Sequence, residues 1–261
     1  MSTTPFDEAI SAIQQRGYHN HRLEEHSDIV SRGIFRDLLD CCSTLRADYE
    51  RGAIREWLNV HAPGARKRKI DLFVGEPRAG AALSDISKLR VCVENKSVVT
   101  AHRNRDARFD DLNETLKVVH AARSEAVIVA TVLIGTAGRV LNIPDKVKAF
   151  HKGLGDTFTQ TIVPRLSRGD LSLWDEYRWA VSVNRKNDPA ITLEKLRQLP
   201  TRKPGHTHVE GYDYVLFVPV HIDNVSPPTL ARTNDLGIDI DQQYQEMLST
   251  ICKAYAARWH L

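Results

Sequence analysis

Charged residues interrupt two short apolar segments of this sequence, and their types and spacing are suited to chemistry. The segment RKIDLFVG, which starts at Arg68, has Asp71 in its middle, and the segment VCVENKS contains Glu94 and Lys96. Alternate side chains of a strand share a face, so Glu94 and Lys96 point to the same side. If the two segments pair as neighbouring strands, Asp71 meets Glu94 at one edge of the sheet.

Two carboxylates close together repel each other, and a hard divalent cation bound through oxygen relieves that repulsion. Mg²⁺ is typically held by one or two carboxylates together with substrate phosphate oxygens, which suits a phosphodiester substrate. Lys96 can then neutralise charge on the phosphorane, or orient and help deprotonate an attacking water whose pKa the metal lowers. We therefore expect Mg²⁺, or Mn²⁺ in its place, as the cofactor.

The elements around these residues read as an alternating α/β pattern. Helical spacing of apolar residues predicts helices at 5–17, from Ser27 as N-cap to about residue 51, at 106–123, near 144–166 and at 240–259. The continuous apolar runs AVIVATVLIG and YDYVLFVPVHI predict buried strands. A strand, a helix and a strand in this order imply a right-handed parallel crossover after the two interrupted strands.

This arrangement resembles the PD-(D/E)xK nuclease superfamily, the fold of most type II restriction endonucleases. Asp71 matches the first acid and Glu94-Asn95-Lys96 matches the acidic-x-Lys triplet, of which the sequence has no other. Ile70 stands where the family name has Pro. The resemblance implies that Asp71, Glu94 and the backbone carbonyl of Asn95 hold the metal and that Lys96 assists the water. The alternative is a solvated strand end with a surface Glu–Lys pair of little energetic consequence.

The resemblance also implies a fold and a third acid. We expect an α/β protein with a restriction-endonuclease-like central mixed β-sheet flanked by α-helices. Because the sequence shows no internal repeat, low-complexity tract or long linker, we expect the whole chain, 1–261, to be one nuclease domain. Its catalytic core would lie at about 20–135, and 136–261 would supply the remaining sheet, helices and DNA-recognition elements. The family often takes a further acid from the first long helix, and we choose Glu25 over the other candidates, which are Asp37, Asp40 and Glu50.

Basic residues follow the catalytic strand and predict contacts with DNA. Guanidinium groups at a helix start suit phosphate oxygens, and Asn or Arg can read base edges. The predicted DNA-binding residues are Arg103, Asn104, Arg105 and Arg108. The alternative is a polar loop with intrahelical pairs such as Arg108–Asp111. A second basic loop, at 196–208, either contacts DNA or is simply solvated; it carries Arg197, Arg202, Lys203, His206 and His208.

Composition excludes several other classes of protein. The formal net charge of +3 makes any nucleic-acid footprint a local patch, and no apolar run is long enough for a membrane span. The start of the sequence lacks a secretory pattern, so we expect a soluble, cytoplasmic protein without membrane contact. We expect all four cysteines to be reduced, since they are too few for a disulfide scaffold. Motifs for phosphate loops, nucleophile elbows and zinc proteases are absent.

Together these observations predict a Mg²⁺-dependent endonuclease that hydrolyses phosphodiester bonds in double-stranded DNA, most similar to a sequence-specific type II restriction endonuclease. Cutting both strands of a symmetric site calls for two active sites, so a C₂ homodimer is expected. Within the same fold, the alternatives are a structure-specific repair or resolvase nuclease and an antiphage nuclease. From another class, the alternative is a non-catalytic protein that binds DNA or a partner.

Overall fold

A mixed β-sheet lies at the centre of the computed structural model, which describes residues 3–16, 24–62, 68–77, 85–99, 102–144, 162, 164–165 and 168–260. Within these residues, six strands form the sheet in the order β1-β2-β3-β4-β7-β8. Their bounds are β1 Arg55–Ala62, β2 Arg68–Gly75, β3 Leu89–Val98, β4 Val127–Gly135, β7 Tyr214–His221 and β8 Thr229–Leu230. Two further strands, β5 Arg139–Leu141 and β6 Val181–Val183, form a small separate sheet.

Helices pack against the central sheet. In chain order they are α1 Pro5–Arg16, α2 Glu24–Cys41, α3 Ser43–Glu50, α4 Arg105–Ala122, α5 Leu173–Glu176, α6 Asp188–Leu196 and α7 Ile240–Trp259. Helix α2 contacts β2, β3 and α7, whereas α4 contacts β3, β4 and α6. The α/β class with a central mixed sheet flanked by helices is thus confirmed. None of the described helices combines the length and apolar character needed to cross a bilayer.

Strand directions follow the sequence pattern. The two interrupted segments form the antiparallel neighbours β2 and β3, and β3 runs parallel to β4, with α4 between them in the chain. Strand β4 is buried along nearly its whole length because it lies between β3 and β7 and because α4, α6 and α7 pack against it. Strand β7 is also parallel to β4, so β3, β4 and β7 end at the same edge of the sheet.

The predicted long helix from Ser27 is wrong in two respects. Helix α2 begins at Glu24, which puts Ser27 inside its first turn and not at the N-cap. The helix also ends at Cys41, and α3 begins at Ser43 after the extended backbone of Cys42. A single helix over this range would have to keep Cys42 helical. The helix predicted near 144–166 falls mostly outside the described residues.

The expectation of four reduced cysteines is contradicted. Cys42, at the break between α2 and α3, forms a disulfide with Cys252 of α7, and their Cα atoms are 5.4 Å apart. Cys41 is an exposed free thiol, and Cys92 is a buried one. The partners are separated by 210 residues, so only the packing of α7 against α2 and α3 brings them together.

Candidate active site

Asp71 lies where β2 and β3 separate. Their pairing ends at Leu72 and Val93, one residue before Asp71 and Glu94. Beyond that point the backbone N–H of Asn95 donates a hydrogen bond to Oδ2 of Asp71, at 2.6 Å. The carboxylate therefore fills the position that a backbone carbonyl of the neighbouring strand would occupy in a continued ladder. The sequence alone predicts the pairing of the strands but not this opening between them.

Glu94 is buried and directly contacts Lys96. Only 1% of Glu94 is exposed, and Lys96 Nζ forms an ion pair with its Oε1 atom. The other oxygen, Oε2, is buried and has no hydrogen-bond partner among the described residues. A buried carboxylate oxygen without a partner is costly. A hard cation bound through oxygen would satisfy it, so the donor set fits Mg²⁺.

The two carboxyl groups share one electrostatic environment. Burial is the main cause that raises the pKa of Glu94 to about 7, and the negative charge of Asp71 raises it further, against the lowering effect of Lys96. Burial likewise raises the pKa of Asp71, and the charge of Asp28 adds to this, while Lys96 and the Asn95 N–H oppose it. Carboxyls whose pKa values are raised by burial and by neighbouring acids are typical of functional sites.

The Asn95 side chain holds the strand in place. Its Nδ2 atom donates to Ser27 Oγ at 2.9 Å and to Ser31 Oγ at 2.8 Å, and Thr131 Oγ1 donates to its Oδ1 at 2.7 Å. A hydrogen bond from Ser27 also lowers the pKa of Asp71. This network joins α2, β3 and β4 behind the carboxylates. Because the Asn95 amide is fully engaged, the predicted metal ligand at this position remains its backbone carbonyl.

A cavity of about 480 Å³ opens beside these residues, and we call it the Asp71 cleft. Asp71, Asn95 and Lys96 line it. Its walls also come from the first turn of α2, from β1 and β2, and from the start of α4; these residues include Glu24, His26, Ser27, Asn59, Lys69, Asn104 and Arg108. The rest of the lining is mostly apolar and includes Phe6 and Ile10 of α1.

The structure does not single out Glu25 as the third acid. Glu25 is exposed on the first turn of α2, and the residues of that turn that line the cleft are Glu24, His26 and Ser27. Asp28 is the acid of α2 whose charge acts on Asp71, and it accepts a 2.8 Å hydrogen bond from Asn59 Nδ2. In the described ranges no three His, Cys, Asp or Glu side chains group together as metal ligands.

The predicted DNA-binding residues divide between two places. Asn104 and Arg108 line the Asp71 cleft, whereas Arg103 lines a neighbouring cavity. Arg105 Nη1 donates to the His102 carbonyl at 3.5 Å. Arg108 also forms the alternative intrahelical pair, with its Nη1 atom 2.8 Å from Asp111 Oδ2. The pairing and the cleft position coexist because Arg108 is only half-buried.

In the basic loop at 196–208, a DNA contact by Arg202 is excluded by its burial. Its guanidinium is fully buried and pairs with Asp213, with Nη2 3.1 Å from Oδ2. It also donates to the Ser124 carbonyl at 2.7 Å. A residue that holds a buried carboxylate cannot reach a phosphate in solvent. Lys203 and His206 of the same loop are exposed, and DNA contact there stays a prediction.

Sequence reasoning missed the residues of α2 that hold Asn95 in place or act on Asp71. Ser27 and Ser31 are one helical turn apart on α2, so they share a face. That spacing was a usable signal that α2 presents hydroxyl groups to the sheet. The charge of Asp28 beside Asp71 had no comparable signal.

A scan against protein-family models finds no match, and searches of curated proteins and of solved structures find no similar protein.

Proposed function

We propose that this chain is a Mg²⁺-dependent endonuclease that hydrolyses phosphodiester bonds in double-stranded DNA, similar to the PD-(D/E)xK nucleases. The observation that carries the proposal is the unpartnered Oε2 atom of buried Glu94, next to Asp71 and Lys96 where β2 and β3 separate. A structural Glu–Lys pair would not need a second carboxylate with a raised pKa beside it.

In this proposal Asp71, Glu94 and the Asn95 carbonyl hold the metal. Bound Mg²⁺ would stabilise negative charge on the phosphate and lower the pKa of an attacking water. Lys96, whose ammonium lies against Glu94, would orient that water by donating a hydrogen bond to it and would offset negative charge that develops on the phosphate. Asn104 and Arg108 bind the phosphate backbone from the other wall of the cleft.

Sequence-specific cleavage of the type II kind, by a C₂ homodimer, is the form of the activity that we propose. The same site in a structure-specific or antiphage nuclease would cut without a fixed sequence. The Lys96–Glu94 ion pair favours a non-catalytic protein instead, because it neutralises the buried charge of Glu94 without a metal. The experiment must therefore separate these outcomes.

The test is incubation of the purified protein with mixed-sequence plasmid, with and without Mg²⁺ or Mn²⁺. Asp71→Asn and Lys96→Ala are compared with the parent. Glu125→Gln and Lys117→Ala are matched controls, because both residues are exposed and lie outside the Asp71 cleft. Discrete metal-dependent bands from the parent and both controls, but not from the two site variants, are expected.

Other results would change the assignment. A metal-dependent smear would indicate a nuclease without a fixed recognition sequence. The absence of cleavage by the parent with either metal would overturn the nuclease proposal and favour the binding protein. Cleavage by the two site variants at the rate of the parent would mean that another site does the chemistry.

A further inference from the structure

A small structural unit lies at the sheet edge that also carries the proposed active site. Strands β3, β4 and β7 run parallel, so the segments that follow them meet at one edge. Residues 102–104 follow β3, the turn at 136–138 follows β4, and the loop at 222–228 follows β7. Strands β5 and β6 with the short helix α5 form the unit that continues from β4 at this edge.

The unit is held firmly against the central sheet. The Leu141 N–H donates to the Asp223 carbonyl at 2.9 Å, and Asn224 Nδ2 donates to the Leu141 carbonyl at 2.7 Å. Its own small core consists of buried apolar residues, which are Leu141, Ile143, Ile162, Leu173, Ala180 and Val225. Val225 belongs to the loop after β7, so the core itself ties the unit to the sheet.

Large apolar side chains nevertheless project from this unit into solvent. Trp179 is 61% exposed and Val183 is 74% exposed, although Ala180 beside Trp179 is buried. Both line a cavity of about 440 Å³, which we call the Trp179 cleft. An exposed tryptophan presents a large, flat apolar ring, and with only two side-chain torsions it loses little entropy when it is bound.

The polar lining of the Trp179 cleft suits a nucleic acid. It includes Arg103, which is exposed and forms no ion pair with any described residue, and the amide side chains of Asn142 and Asn184. Asp188 is the acidic side chain of the described lining, and its carboxylate accepts the Arg185 N–H at 2.8 Å. Arg178 is exposed next to Trp179 in the chain, and the exposed Arg185 and Lys186 line a separate cavity that also includes Asn184.

The two clefts adjoin each other. Arg103 lines the Trp179 cleft and the next residue, Asn104, lines the Asp71 cleft. Consecutive Cα atoms are about 3.8 Å apart, so the short turn at 102–104 is the wall between the clefts. Because the two clefts share this wall, a DNA strand bound in the Asp71 cleft can continue into the Trp179 cleft.

We propose that the Trp179 cleft binds DNA beside the scissile phosphate, with the indole of Trp179 stacked on a base and Arg103 on the adjoining phosphate. This inference rests on the proposed nuclease function, and it names β5, β6 and α5 as the element that contacts bases. Aromatic stacking and guanidinium contacts are the usual means of holding an unpaired or partly unstacked base. The exposed Arg103 guanidinium, at the wall that the Trp179 cleft shares with the Asp71 cleft, favours a DNA strand that continues from that cleft over an apolar protein partner.

The test measures binding of a fluorescein-labelled 20-base-pair duplex of mixed sequence, in EDTA and again in a Lys96→Ala background with Mg²⁺. Trp179→Ala should bind at least about fivefold more weakly than the parent, which is the lower end of what base stacking contributes. Trp179→Phe should keep most of the affinity, because it keeps an aromatic face. Leu171→Ala is the matched control, since Leu171 is 64% exposed on the same unit but outside the cleft.

Intrinsic tryptophan fluorescence supplies a second readout. DNA should quench the parent and the Leu171→Ala variant, and the quenching should be largely lost in Trp179→Phe. Three results would each overturn the inference. They are equal affinities of the parent and Trp179→Ala, unchanged quenching in Trp179→Phe, and no binding of duplex by the parent. Because Trp179 is exposed, Trp179→Ala should unfold thermally at the temperature of the parent.

Failure of the two proposals can be told apart. If the parent cuts plasmid but Trp179→Ala binds and cuts like the parent, the cleft assignment fails and the nuclease function stands. If the parent binds duplex with quenching that depends on Trp179 but does not cut DNA with either Mg²⁺ or Mn²⁺, the nuclease function fails and the DNA contact at Trp179 stands.

Discussion

The backbone N–H of Asn95 donates a 2.6 Å hydrogen bond to Oδ2 of Asp71 across the opening between β2 and β3. Asp71 lies one residue and Asn95 two residues beyond the last paired position, so a side chain replaces the missing ladder partner. It orients the carboxylate next to Glu94 and Lys96. The same bond also gives Asp71 a structural role, and its two roles can be separated by substitution.

Asp71→Asn should keep the fold and lose the proposed activity. The Asn side-chain oxygen can still accept the Asn95 N–H, so we expect a thermal midpoint close to that of the parent. The negative charge is lost, and metal-dependent plasmid cleavage should fall by about 100-fold or more, as expected when a catalytic metal loses a charged ligand. Asp71→Ala removes the acceptor as well and should also destabilise the protein. Full activity of Asp71→Asn would contradict the metal role.

Stabilisation by Mg²⁺ should depend on pH through Glu94. Its pKa is raised to about 7, and a proton competes with the metal for the carboxylate. One pH unit below and above that pKa, the ionised fraction is about a tenth and about nine tenths. We expect Mg²⁺ to raise the thermal midpoint clearly at pH 8 and little at pH 6, as measured by circular dichroism. Glu94→Gln should remove the pH-dependent part.

Without metal, the Glu94 carboxyl should make the folded protein less stable as pH rises. The folded-state pKa of Glu94 is above its ordinary value of 4.5, so the folded protein holds a proton that the unfolded chain releases. The contribution of Glu94 to the free energy of unfolding is therefore greatest below pH 4.5 and falls as pH rises towards about 7. Asp71, whose pKa is also raised, contributes with the same sign. Denaturant titrations in EDTA that show no such difference between parent and Glu94→Gln would contradict this environment for Glu94.

Asn95→Ala should lower the free energy of unfolding and leave the proposed cleavage activity intact. The substitution leaves the buried hydroxyls of Ser31 and Thr131 without their partner, and such a loss typically costs about 1–3 kcal/mol. The proposed ligand at this position is the backbone carbonyl, so cleavage should persist at temperatures where the variant is folded. Urea unfolding measures the first effect and plasmid cleavage the second. Asn187→Ala, at an exposed position without a side-chain cap bond, should leave both unchanged.

The Cys42–Cys252 disulfide should stabilise the packing of α7 on α2 and α3. Replacing both residues by Ser is expected to lower the free energy of unfolding by about 2–4 kcal/mol, the usual range for a bridge that closes a long loop. Cys41→Ser changes an exposed free thiol and should have little effect. Thiol titration of the denatured protein should detect two free thiols before reduction and four after it. Four thiols before reduction would show that the bridge is absent.

Arg202 should be a stability residue, unlike the exposed basic residues of its loop. Removing one partner of a buried ion pair typically costs about 3–5 kcal/mol, so Arg202→Ala should strongly destabilise the protein by leaving Asp213 with one guanidinium less. Arg197→Ala, on the exposed side of the same loop, should shift the free energy of unfolding by less than about 0.5 kcal/mol. Urea unfolding of both variants provides the comparison. An equal, small effect of the two would contradict the buried pairing.

Local patterns in the sequence were enough to predict the hairpin of β2 and β3, the α4 crossover to β4 and the final helix α7. Each rests on a repeat of apolar residues that is complete within one element, because burial of one face or of both demands it. The same patterns predicted that Asp71, Glu94 and Lys96 would meet, since neighbouring strands place charge within apolar runs at one sheet edge.

Only the tertiary structure decided which distant side chains serve those residues. Ser27 and Ser31 reach Asn95 across more than 60 residues of chain, Cys252 reaches Cys42 across 210, and Arg202 turns inward to Asp213. The spacing of residues along the chain does not predict such contacts, because they depend on how α2, α7 and the loops pack on the folded sheet. The exposure of Trp179 beside the Asp71 cleft belongs to the same class, since it follows from where β5 and β6 are anchored.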